Sequence, residues 1–460
     1  MKIKKNFPSN VELKRIATLR KYEKLHDNDQ EGVLLLHEII KKQYSKTTDI
    51  VYLSHAIPFR VSEFYADFAQ GDSERMSINL IGGSEAEGKA VDRIVEDNEI
   101  AEEIHDYANN QSEYGFEVLL GYQDEDSVYR IQKVPKDQYF PQNDGSVIFA
   151  TFLFDPKDDN SILKDRKKIL YTQYYELEGK DVKITRQLWQ IDGDGRAESE
   201  LALDYAEITA EPKETMEGLG ELPIAQIDNG RKNSWGFGAS DYAPIMPQLQ
   251  EVNERRTHIS TQLLKNLDAK IQLPVIDELK TDDGKLKAFD YIMTDKEQGD
   301  AKYILNTNPL IEDTEKHVEK NLQFISWITS IPMFELLKSA MPERVEALRI
   351  QLFGAIRKTT RKRSKITKGV RKMIRIGYKL MNSKDLDGKI EIKYSEVLPI
   401  DEIEEVNKEN EKVSGGLSSR RSAMKRLDNF SDEDVDAEME LIKKENIESG
   451  VLDINNKPEF

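Results

Sequence analysis

From Gly238 to Lys270, apolar residues fall at Ile245, Leu249, Val252, Ile259, Leu263 and Leu267. With Arg256 as the one polar member, their steps of three and four place them on a single stripe of a long helix. The remaining faces are polar, with Gln250, Glu254, Arg255, Thr257 and Lys265. A helix over Ser240–Lys270 would run roughly 45 Å at the usual rise per residue. It offers no second apolar face on which to build a globular core, so the pattern predicts a strut packed against copies of itself. An ordinary long helix of an α+β domain is the alternative. Val318, Leu322 and Ile325 predict a second helix over Glu312–Thr329. Short strands at Ile271–Ile276, Phe289–Thr294 and Ala301–Asn306 lie between the two, giving a hairpin of helices with a small β module at its tip.

On the N-terminal side, Ser9 and Glu12 have capping-box spacing and open a helix through Leu13, Ile16 and Leu19. Asp27–Gly32 breaks it, and helices follow over Val33–Tyr44 and His55–Asp72. Ser77–Ile81 predicts a strand, and Val91–Asn109 one helix. From Gly115 the period changes to two. Phe116–Tyr122, Val128–Val134, Val147–Phe154, Ile169–Glu176 and Lys183–Gln190 predict one antiparallel meander, joined by turns such as Asn143-Asp144-Gly145. Beyond the hairpin, Pro332 interrupts the helical pattern in Ser330–Met341, and Pro342 suits the first turn of a helix running to Leu380. Lys389–Tyr394 predicts a strand. Asp401–Glu411, Ser418–Leu427 and Ser431–Asn446 predict closing helices.

Composition narrows the function classes. The chain has 460 residues, room for about three domains, and is 38% hydrophobic and 33% charged. A net charge of −18 argues against a protein that grips DNA over its whole surface. The absence of cysteine excludes disulfides, thiolate metal sites and a cysteine nucleophile. The six histidines are scattered without metal-ligand spacing, so neither a metal nor another cofactor is expected, and no hydrolytic constellation is visible. The opening MKIKKNFPSN has no apolar core of a signal peptide, and no apolar run is long enough to span a bilayer; a soluble protein made inside the cell is expected.

Two stretches carry candidate chemistry. Gly83-Ser-Glu-Ala-Glu-Gly88-Lys89-Ala90 comes near a phosphate-binding loop, with Asp155 as its acidic partner. Ala90 stands where that motif needs a hydroxyl, and Glu85 and Glu87 would repel phosphate, so a solvated turn is expected. Arg357–Lys379 is basic without a single acid, which predicts either nucleic-acid contact or pairing with the acidic surplus of a neighbouring subunit.

Three motifs recur in order along the chain. Glu113-Tyr114-Gly115-Phe116 follows a polar run and enters a strand. Leu222-Pro223-Ile224, with Asn229, precedes Gly238-Ala239-Ser240-Asp241 at the start of the long helix. Ser414-Gly415-Gly416-Leu417-Ser418 precedes Ala423, Leu427 and the acidic stretch from Asp432 to Glu445. In this order and spacing, over nearly the whole length, the sequence resembles the portal proteins of long-tailed double-stranded-DNA bacteriophages. One departure is the segment after Ser330, often glycine-rich in relatives, where this chain places Met333, Phe334, Leu336 and Leu337.

The resemblance implies an α+β, portal-like ring subunit, usually in twelve copies. Its parts would be an α/β wing (1–239), a stem helix (240–270), a small α/β clip (271–311), a second stem helix (312–329), a tunnel loop (330–341), a long helix returning to the wing (342–397), and a helical crown with the C-terminal tail (398–460). It implies a structural channel without catalysis at the head–tail vertex of the virion, assembled in the host cytoplasm, through which DNA is packaged and ejected. Terminase and then a head–tail adaptor would dock on the clip. Scaffold and major capsid protein are the other implied partners, and no membrane is involved. Met333, Phe334, Lys338 and Arg344 would face the DNA. Ile245, Leu249, Val252, Ile259, Leu263, Val318, Leu322 and Ile325 would pack the stem. Asp282, Lys285, Lys287, Lys296 and Glu297 would form the docking surface. Twelve copies at −18 sum to about −216, a charge that lets phosphates slide rather than stick. A phosphate-loop nucleotide enzyme using Lys89 and Asp155, and a nucleic-acid binder using Arg357–Lys379, are the rival classes.

Overall fold

The computed structural model describes residues 6–37, 40, 50, 52–71, 76–158, 167–230, 232–267, 270–274, 291–294, 302–304, 310–332, 345–395, 402–427 and 432–448. At the first helix the capping box is closed from both sides. Ser9 accepts from the Glu12 amide, and the Glu12 carboxylate accepts from the Ser9 amide at 2.6 Å, so α1 (Asn10–Asp27) starts there. Left-handed Asn28 ends it, and Asp29 caps α2 (Gln30–Leu35), ahead of the predicted Val33 start. Most of that prediction past His37 lies outside the described residues. Next come α3 (Ile57–Gln70) and β1 (Ser77–Ile81).

The single helix predicted over Val91–Asn109 is two. A second capping box, Ser84 with Glu87, starts α4 (Glu85–Asp97) inside the Gly83–Ala90 stretch. Asn98 then stops it. Its side-chain amide donates to the carbonyls of Ile94 and Tyr129, and its carbonyl oxygen accepts from the Ile131 amide at 2.7 Å. Left-handed Glu99 redirects the chain into α5 (Ile100–Glu113).

The strands that follow are β2 (Phe116–Gln123), β3 (Tyr129–Lys133), β4 (Tyr139–Pro141), β5 (Val147–Phe154), β6 (Lys168–Glu178), β7 (Asp181–Ile191), β8 (Ala197–Leu201), β9 (Lys213–Met216) and β10 (Ile224–Asp228). They make two sheets rather than one meander. An antiparallel sheet runs β4-β5-β6-β7-β8, with β9 also on β7, while β2 and β3 form a separate sheet in the order β10-β2-β3. Pro135 and the short 3₁₀ turn Lys136–Gln138 separate the two after β3.

The long helix α6 (Met246–Leu267) begins after a 3₁₀ turn at Ala243–Ile245, not at Ser240. Pro244 and Pro247 lack amide donors and fit only its opening turn. β11 (Lys270–Pro274), β12 (Tyr291–Thr294) and β13 (Lys302–Ile304) form a small mixed sheet in the order β12-β11-β13, and α7 (Leu310–Thr329) packs against α6. After α8 (Val345–Asn382), β14 (Lys389–Lys393) pairs antiparallel with β1, Ile78 opposite Ile392.

The chain divides into two compact units, Met1–Glu343 with Ala347–Ser395, and Arg344–Glu346 with Glu396–Phe460. The second holds α9 (Glu402–Ser414), α10 (Arg420–Leu427) and α11 (Asp432–Glu448), with Arg421 on α10 paired to Asp436 on α11 at 2.8 Å.

Within the first unit, Ile366, Val370, Met373 and Ile374 of α8 are buried with Ile104 of α5, Val118 of β2 and Ile227 of β10. A second cluster corrects the expectation of a strut with no core of its own. Ile245, Leu249 and Val252 are fully buried with Val318, Leu322 and Ile325 of α7, and with Leu25 of α1 and Val61 and Tyr65 of α3. Each such aliphatic side chain contributes roughly 1.5–3 kcal/mol by leaving water. The mates of this half of the stripe are therefore in the same chain. Ile259 is also buried, but Leu263 is half exposed and joins no cluster among the described residues.

Candidate functional site

The sequence motifs of the first unit converge on one buried point. Gly115, just past α5, takes φ +90°, and its carbonyl accepts from the Asn229 amide at 2.7 Å. It lies flat against Gly238: a Cβ on Gly115 would sit 2.2 Å from the Gly238 oxygen, and one on Gly238 would sit 2.0 Å from the Gly115 oxygen. No side chain fits there, which explains a glycine in both motifs. Asn229 spans the gap, donating to the Ala239 carbonyl at 2.9 Å and to the Asp241 carboxylate at 3.1 Å.

Asp241 is the hub. Its amide donates to the Ser112 carbonyl at 2.9 Å, and the Ser112 hydroxyl donates to its Oδ2 at 2.7 Å. Lys358 approaches Oδ1 at 2.9 Å and Lys362 approaches Oδ2 at 3.0 Å. These lysines lie one turn apart on α8 and so face the same way. Both ammonium groups also lie over the ring of Tyr65, at 4.3 and 5.3 Å from its centre. The Tyr65 hydroxyl donates to the carbonyl of Thr329, at the end of α7. Next to the hub, the hydroxyls of Tyr242 and Ser62 are 2.6 Å apart. One carboxylate thus ties together α5, α8 and the entry to α6, and Tyr65, through the two ammonium groups, adds α3 and reaches α7.

Electrostatics fixes the charge states. Burial alone would push the Asp241 carboxyl upward, but Lys358, Lys362 and the Ser112 hydroxyl overcome it and hold the carboxyl well below the usual carboxylate range. Burial pushes Lys362 down to about 8 against the pull of Asp241. Asp241 and Lys362 are charged at neutral pH and buried, while Lys358 reaches partly to the surface. The chemistry of the hub is mechanical: it holds helices in one register.

Glu113 sits beside it, buried, and burial pushes its carboxyl up to about 7 against the pull of His26, 3.9 Å away, and Tyr114. The fold therefore keeps this proton above the unfolded carboxyl value of about 4.3, and stability is lost as pH rises through the interval up to about 7. Glu113→Gln should lack that loss and be roughly 1–3 kcal/mol more stable than the unmodified chain at pH 8. Melting temperature against pH checks this. An unchanged slope in the variant would show that another group titrates.

The basic run resolves into two faces. Besides Lys358 and Lys362, Arg363 donates to the carbonyls of Ala69 and Ser395, both at 2.9 Å, and Lys372 donates to the carbonyl of Ile224 at 2.8 Å. These four hold the chain's own elements, so neither predicted role, nucleic acid or neighbouring subunit, applies to them. Arg361, Lys365, Lys368 and Arg375 are exposed and have no ion pair among the described residues. The phosphate-loop reading fails on geometry. The stretch opens α4, the Ser84 hydroxyl accepts from the Glu87 amide, Lys89 is paired to Glu85 at 2.6 Å, and Asp155 accepts from the Tyr205 hydroxyl at 3.0 Å.

Among the other predicted positions, Met333, Phe334, Lys338 and Arg344, and Asp282, Lys285, Lys287, Lys296 and Glu297, lie outside the described residues. Sequence reasoning missed Tyr65, Ser112 and Thr329, and did not foresee that His105 of α5 meets Asp67 of α3 at 3.3 Å beside Glu63. That His–Asp contact and the 3.2 Å bond from Asn109 to Glu63 already occupy these groups.

A family model described as "Phage portal protein, SPP1 Gp6-like" matches residues 10–450. No curated protein sequence matches the chain. Among solved structures, a chain in the neck of a native GTA particle computed with C12 symmetry is 13% identical, with 81% of this chain and 89% of that chain covered and a TM-score of 0.45. A chain in the virion of a native gene transfer agent particle is 11% identical, with 84% and 97% covered and a TM-score of 0.41.

Proposed function

The chain belongs to the family of phage portal proteins of the SPP1 Gp6-like kind, and we propose that it assembles with copies of itself into a ring, dodecameric as in the resemblance, forming the DNA channel at the head–tail vertex of a virion. The observation that carries this is the family match over 10–450, almost the whole chain. In this reading residues 1–239 are the wing, α6 and α7 the stem, 271–311 the clip that docks terminase and then the adaptor, 330–341 the tunnel loop, α8 the helix behind it, and 398–460 the crown. Met333, Phe334, Lys338 and Arg344 would meet passing DNA, and the role is structural rather than enzymatic.

Exposed apolar groups support self-association. Trp327 is 80% exposed and Ile350 77%, with Phe324 and Phe353 also more than half exposed. Large apolar side chains left in water in this way mark an interaction surface. Their burial between neighbours, with different patches meeting at each junction, is the arrangement that closes into a ring. Native mass measurement and negative-stain imaging of the purified chain test this. The expected result is a closed particle of many copies with a central opening. A compact monomer at high concentration would overturn it.

A further inference from the structure

The outward face of α8 has a composition that its inward face does not explain. Ile350, Phe353, Arg357, Arg361, Lys365 and Lys368 are all exposed and follow one another at steps of three and four, with Arg375 two turns further on. They form one stripe roughly 38 Å long. Its N-terminal end is apolar, where Arg357 stacks on the Phe353 ring at 4.9 Å. The rest is cationic, in a chain of net charge −18. Elsewhere in the same unit, α4 and the start of α5 present Asp92, Glu96, Glu99 and Glu102, exposed and without an ion pair among the described residues.

We infer that the α8 stripe of one copy docks the Asp92–Glu102 acidic row of the next. This rests on the ring reading and specifies one of its contacts. The two surfaces differ and are complementary in charge, so the contact is head-to-tail, the kind that can close. A nucleic acid would satisfy the cations but not Ile350 and Phe353 at the same stripe's end, whereas a protein neighbour satisfies both. The exposed cations lie on a helix whose opposite side is fixed by Asp241, so they are held in line for a partner.

The test compares four full-length proteins, the unmodified chain, two charge-reversal variants and their combination, by mass photometry at about 0.1 M and about 0.5 M salt, a span over which surface charges become strongly screened. Arg361→Glu with Lys365→Glu and Lys368→Glu should lower the assembled fraction by about tenfold or more at the lower salt. Asp92→Lys with Glu96→Lys and Glu102→Lys should do the same. Mixing these two variants, one with both faces negative and the other with both faces positive, pairs opposite charges at every alternating junction and should recover assembly, as should combining both sets in one chain. Circular dichroism confirms that each variant is folded. If the unmodified chain forms rings and both variants assemble as it does, this contact is wrong and the ring reading stands. If assembly is unaffected while the Arg361/Lys365/Lys368 variant alone loses DNA binding, the stripe belongs to nucleic acid and the inference is overturned. If the unmodified chain forms no ring, both readings fall.

Discussion

Replacing Asp241 with Asn should destabilise the first unit by about 3–5 kcal/mol, the usual cost of stranding a buried charge. The change is nearly isosteric, so little packing is lost. What is lost is the counter-charge for Lys362, which is 2% exposed and has no route to water without moving α8. Denaturant unfolding of unassembled protein measures the effect. Lys362→Met in the Asp241→Asn background should recover a large part of it, because the stranded ammonium is then gone. A loss under about 1 kcal/mol, or no recovery, would mean that the hub is not an ionic one. The same pair predicts an acid limb. A carboxyl held below its unfolded value contributes stability that is complete above about pH 5 and is lost as pH falls below the unfolded value. The Asn variant should lack that portion of the acid loss.

Gly238→Ala should cost about 3 kcal/mol, and Gly115→Ala a similar amount. At Gly238 the new methyl would meet the backbone oxygen of Gly115 at 2.0 Å and the Asn229 nitrogen at 2.3 Å, and neither can swing away as a side chain could. At Gly115 a positive φ adds backbone strain to the clash. The two motifs would separate, and Asn229 would lose its bridge from β10 to Asp241. Thermal melts of both variants check this, with Gly236→Ala as the comparison. Gly236 also has a positive φ, but nothing lies within 4 Å of an added Cβ, so it isolates the backbone strain from the clash. Equal melting points for Gly238→Ala and the unmodified chain would dismiss the close approach as a determinant.

Local signals were legible in the sequence where the physics is local. The capping-box spacing at Ser9 announces α1, and period-two alternation announces β5, β6 and β7 almost to the residue. The break at Asn98 was not legible, because its cause is a bond to the strand residue Ile131, beyond the reach of helix periodicity. β10 was hidden inside a motif read only as an approach to the long helix, and its partner β2 lies more than 100 residues earlier. The basic stretch showed its charge but not its sidedness. Deciding which cations turn inward requires knowing where Asp241 sits, and Lys358 and Lys362 are separated from it by the whole helical hairpin. Of the candidate site, the sequence offered the glycines, Asn229 and Asp241 as motif members. It gave no sign that Tyr65 and Ser112 complete the set, since a buried tyrosine and a helical serine are unexceptional until folded.

Because two ammonium groups grip one carboxylate at the root of the hairpin, any tilt of α6 relative to α8 would pull opposite charges apart, one of them, on Lys362, buried. A load on the far end of the hairpin therefore passes into α8 as a lever passes torque through a keyed shaft. The buried bed of α6 reaches Ile259, and at Leu263, one turn further on, the helix is already half in solvent.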